Sequence, residues 1–64
     1  MTVQEYCCKV QELLLDADVC PEQGLLHRVD RARASKAVTL SLEGRDDRAL
    51  ELAEDIAERW MLLV

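Results

Sequence analysis

The chain has 64 residues, a net charge of −5, and hydrophobic residues at half its positions. That length allows one domain, whose core alone rarely supplies more than ~3–5 kcal/mol, and the apolar content is too high for a disordered tail. The acidic balance argues against phosphate binding as a default and favours a neutral or basic partner. With one Trp, one Tyr and no Phe, Leu, Ala and Val must build the core, which suits packed helices better than a β-sandwich.

The first helix is predicted from residue 3 to about 16. Thr2 is placed to cap it, with Glu5 three residues on as in a capping box. Val3, Cys7, Val10, Leu14 and Ala17 then recur at steps of four and three, the spacing of a single helical stripe. Glu5 and Lys9 form a supporting i, i+4 pair.

Asp16 to Pro21 is the first break. Pro21 fits the first turn of a helix but not its interior. Glu22 follows where the helix dipole favours negative charge. The second helix is predicted over about 21–42, weakened early by Gly24. Leu25, Val29 and Ala32 share a face that Leu26 widens, and Arg33 and Lys36 interrupt the pattern before Ala37 and Leu40 resume it. Val38, Leu40 and Leu42 alternate with polar residues, so a strand over 38–42 is the competing reading. A lone short strand without a partner makes helix preferable.

Gly44 is a natural stop, and Asp46 or Asp47 is expected to cap the third helix, predicted over about 47–63. Ala49, Ala53, Ile56, Trp60 and Leu63 form its stripe. The fold expected is all-α, a single domain over 1–64, as a helical hairpin or small three-helix arrangement. Arg28, Arg31, Arg33 and Lys36 make the middle helix basic between two acidic ones, which fits antiparallel packing.

No residue set specifies a reaction. Cys7, Cys8, Cys20 and His27 lack the short paired spacings of a zinc site, so the thiols read as small apolar side chains in a reducing compartment. His27 reads as a surface residue beside Arg28, not as a base for a cysteine nucleophile. The pairs Asp46-Asp47 and Glu54-Asp55 suit a helix start and a solvated face better than acid catalysis, which needs a cleft. The expectation is no catalytic residue, no cofactor and no metal. The opening residues carry no basic-then-apolar signal, and no stretch approaches the ~20 apolar residues of a membrane span, so a soluble, intracellular protein is expected. The basic run of the middle helix reads as charge pairing within the molecule or with a partner, not as a nucleic-acid site. Trp60, Met61, Leu62, Leu63 and Val64 are apolar most of the way round the helix, which predicts a surface covered by a partner or a second copy, the alternative being a helix that buries this end in its own core.

The helix, Pro turn and helix over 3–42, the short acidic chain and the turn Cys20-Pro21-Glu22-Gln23 resemble the small co-chaperones of type III secretion needle proteins. The resemblance implies a role in place of a reaction. Such proteins pair with a tetratricopeptide-repeat chaperone, and the two together hold the needle subunit monomeric in the cytosol before export. The anchors it implies are Val3, Val10 and Leu14 on the first helix, or Ile56, Trp60 and Leu63 with Met61 on the third. The alternative is a small self-associating regulatory protein, antitoxin-like or a DNA-associated dimer.

Overall fold

The computed structural model describes residues 1–62, which form three helices. The first, α1, is Val3–Asp16. Thr2 caps it by accepting the Glu5 backbone N–H at 3.1 Å, and the Glu5 carboxylate accepts the Thr2 hydroxyl at 3.2 Å. The box therefore closes on the hydroxyl of the capping residue.

Pro21 opens a short 3-10 turn, Pro21–Gln23, ahead of α2, Gly24–Leu42. The single helix expected from residue 21 is thus split at Gly24, where the tight turn passes into α geometry. Residues 38–42 are helical, so the strand reading fails. The helix ends at Gly44, whose φ of +82° is the left-handed conformation that glycine adopts without a Cβ penalty. Arg45 N–H reaches back to Leu40 O at 2.9 Å and Gly44 N–H to Ser41 O at 3.2 Å, satisfying carbonyls that the helix leaves open.

The third helix, α3, is Asp46–Trp60. Neither Asp46 nor Asp47 caps it by a side-chain hydrogen bond: both lie inside the first turn, where the dipole favours their charge. The helix also stops short of the expected residue 63. Met61 turns left-handed at φ +53°, and Leu62 N–H then returns to Ala57 O at 2.9 Å. The same closing geometry that ends α2 at a glycine here falls on a methionine.

The three helices pack pairwise around one core. Cys7, Val10 and Leu14 enter from α1, Ala34, Ala37 and Leu40 from α2, and Ala49, Ala53, Ile56 and Ala57 from α3. The stripes read on the first and third helices face the core, with Val3, Ala17 and Trp60 half-buried and Leu63 outside the described residues. On α2 the apolar positions are divided between two faces. Leu25, Leu26, Val29 and Ala32 face solvent, and the helix buries Asp30, Ala34, Ala37 and Leu40 instead.

Candidate interaction surface

The inner face of α2 carries one acid, Asp30. Its side chain is fully buried, which is costly for a carboxylate unless it is paired and hydrogen-bonded. The last turn of α3 supplies the partners. Arg59 Nη1–H and the Trp60 indole N–H both donate to Asp30 Oδ2, each at 2.6 Å. Arg59 also holds Asp55 on its own helix at 2.8 Å, and Arg33 lies 3.7 Å from Asp30 Oδ1. The hydrogen bond to Asp30 is the main cause holding the Arg59 guanidinium above its ordinary pKa. One acid from the basic helix and one base from the acidic helix thus carry the link between α2 and α3. The expected pairing of Arg28, Arg31 and Lys36 with acids of the flanking helices does not occur among the described residues.

His27 extends this cluster to α1. Its Nε2 lies 2.8 Å from Leu14 O, a carbonyl in the last turn of α1. A carbonyl only accepts, so Nε2 carries the hydrogen and donates. The imidazole edge meets the Trp60 ring at 5.6 Å between centroids and 87° between planes, a T-shaped contact. His27 is therefore half-buried at the junction of all three helices, and not the surface residue expected. A signal for this cluster exists in the sequence. Asp30 is the single acid in a basic run, and a half-buried Trp needs an acceptor for its N–H.

The residues read as partner anchors separate into three groups. Val10, Leu14 and Ile56 are fully buried, so in this conformation the protein's own core occupies them. Val3 and Trp60 are half-buried against that core. Met61 is 77% exposed, and Leu63 lies outside the described residues. Other large apolar side chains in solvent are Met1 at 87%, Leu25 at 74%, Leu42 at 64%, Leu15 at 55%, and Leu26 and Val29 near 40%. Of these, Leu15, Leu25, Leu26 and Val29 come from the end of α1 and the start of α2, which meet the end of α3 at the His27–Trp60 junction.

The cysteines are free and scattered. Cys7 is buried, with Sγ 3.7 Å from Ala49 O, Cys8 is half-buried, and Cys20 is exposed at the turn, which corrects its reading as a packed side chain. Burial is the main cause that raises the Cys7 thiol pKa. Among the described residues no three His, Cys, Asp or Glu side chains come together as a metal site. No helix among them is long and apolar enough to cross a membrane. An open hollow of about 240 Å³ between α2 and α3 is lined by Lys36, Leu40, Arg48, Glu51 and Leu52, and this set contains no nucleophile paired with a base.

Compared with protein-family models, with curated proteins and with solved structures, the chain matches none.

Proposed function

We propose that this chain is a non-enzymatic co-chaperone or adaptor. In this reading it binds a tetratricopeptide-repeat chaperone, and the pair keeps a type III secretion needle subunit monomeric and soluble in the bacterial cytoplasm before export. The observation that carries the adaptor role is the exposed apolar face of α2. Leu25 and Val29 stay in solvent although a small fold needs every apolar side chain it can bury. Asp30 takes the buried position instead, held by Arg59 and Trp60. A helix face left apolar at the expense of the protein's own core is suited to a second chain, whose binding adds to stability by mass action.

The resemblance in the Cys20-Pro21-Glu22-Gln23 turn and in the helix–turn–helix outline supplies the named partners. The chain acts by covering a partner's surface, and no bond is made or broken.

Co-expression with a tetratricopeptide-repeat chaperone and a needle subunit encoded beside this chain tests the proposal. A soluble complex of fixed stoichiometry, with the needle subunit held monomeric in light scattering, is the expected result. A stable chain that elutes alone and leaves the needle subunit to polymerise overturns it.

A further inference from the structure

We infer that the outward face of α2 is a docking seam for an acidic amphipathic helix of another protein. The inference rests on the adaptor reading only in requiring a protein partner, and it names the surface and the partner's chemistry. Leu25, Val29 and Ala32 recur at steps of four and three, the spacing of the apolar seam in paired helices. All three are exposed. If Leu25 and Ala32 take the d positions and Val29 the a position, Arg28 falls at g and Arg33 at e. Those flanking positions choose partners by charge. The two charged ones, Arg28 and Arg33, are cationic, with Leu26 at e and Ser35 at g neutral, and Lys36 closes the apolar run at the next a position with another exposed cation. The one acid inside α2, Asp30, is buried and already paired. The outer surface of this helix is therefore wholly basic on a protein of net charge −5.

Charge also decides against the α2 of a second copy. In a parallel pair of α2 seams, g of one helix meets e of the next heptad on the other, which sets Arg28 against Arg33. In an antiparallel pair g meets g and e meets e, again Arg against Arg. Pairing α2 with another copy's α3 supplies acids but no apolar complement. The exposed residues over Asp46–Trp60 are Asp46, Asp47, Arg48, Glu51, Glu54, Asp55, Glu58 and Arg59. A nucleic acid would neutralise the cations and leave the seam apolar and uncovered. A helix with aliphatic residues along one stripe and Asp or Glu on both sides satisfies both features.

The test uses the full chain and a labelled synthetic helix of about three heptads, with Leu at a and d and Glu at e and g. Its own glutamates keep it monomeric. A matched peptide with Lys at e and g is the control, and anisotropy is read at low and high salt. The full chain should bind the Glu peptide at least about tenfold more tightly than the Lys peptide, and salt should weaken the binding. Leu25→Ser should abolish binding without moving the unfolding midpoint, and Arg28→Glu with Lys36→Glu should reverse the preference between peptides. Arg33 is left in place because it faces Asp30.

Equal binding of the two peptides, or binding of neither, overturns the inference. So does tighter binding to phosphatidylglycerol vesicles that Leu25→Ser removes, which makes the face a membrane surface. A concentration-dependent mass of the chain alone that Leu25→Ser removes also overturns it, in favour of self-association. A co-chaperone complex that forms and survives Arg28→Glu with Lys36→Glu sinks this inference and leaves the adaptor reading intact. Glu-peptide binding by a chain that captures neither repeat chaperone nor needle subunit does the reverse.

Discussion

The indole N–H of Trp60 donates to Oδ2 of Asp30 across 2.6 Å, joining the last turn of α3 to the inner face of α2. Arg59 donates to the same oxygen. Two neighbouring residues on one helix thereby fix the rotation and height of the other. A shift of α3 by one residue would leave the Asp30 carboxylate buried with no donor.

Removing one donor at a time measures this link. Trp60→Phe keeps an aromatic ring but deletes the N–H and part of the indole, and it should cost at least about 1.5–3 kcal/mol, the range for a hydrogen bond to a charged group. Arg59→Ala should cost about 1.5–3 kcal/mol, above an exposed ion pair, because buried Asp30 then keeps only the Trp60 N–H as a donor. Urea unfolding followed by circular dichroism provides the comparison, and a double-mutant cycle should show that the two effects do not add. Losses below about 0.5 kcal/mol for both variants would show that Asp30 is not held this way.

His27→Phe retains the edge contact with Trp60 and removes the donor to Leu14 O. The expected effect is local. Amides in the last turn of α1 should exchange faster, while the α2–α3 pair keeps its protection. Native-state hydrogen exchange by mass spectrometry resolves the helices, and uniform acceleration across all three would contradict a role confined to the α1 end.

Met61 occupies a left-handed position that costs an L side chain roughly 1–2 kcal/mol. It is also largely exposed, so glycine there loses little packing. Met61→Gly should therefore raise stability by about 1 kcal/mol, seen as a higher urea midpoint with an unchanged slope. Gly44→Ala, at the matching position after α2, should lower it by a similar amount.

Alkaline pH should weaken the fold through Cys7. Burial raises its thiol above the ordinary 9.0. Below about pH 9 the folded and unfolded states both keep the proton, and the full stability is present. Above that, the unfolded thiol ionises while the folded one stays neutral, so stability falls as pH rises until the folded-state thiol also titrates. Tyr6, raised from 10.0 mainly by burial, extends the decline at higher pH. Unfolding midpoints between about pH 7 and 10 should fall in the native protein and fall less in Cys7→Ala.

The periodicity of α1 and α3 is readable because their apolar residues are also their buried ones: Cys7, Val10 and Leu14, then Ala49, Ala53 and Ile56. Gly44 likewise marks a helix end whatever surrounds it. The buried side of α2 is not readable in the same way. Its inner face carries Asp30 with Ala34, Ala37 and Leu40, while Leu25, Leu26 and Leu42 point outward, so a rule that equates apolar with inside does not separate its two sides. The end of α3 escapes for a related reason. Apolar residues continue past Trp60, and the pattern holds no sign that Met61 reverses the backbone. The Asp30 cluster depends on side chains 29 and 30 positions apart, a separation that local spacing does not register.

Five of the ten buried apolar residues described are alanines, all on α2 and α3. Alanine lets helices approach closely but withdraws little hydrocarbon from water. The heat capacity released on unfolding should then fall below the usual value of about 12–15 cal/mol/K per residue. A small increment flattens the dependence of stability on temperature. The fold should hold a modest free energy over a wide span, with cold unfolding displaced further below the freezing point and a gradual loss on heating.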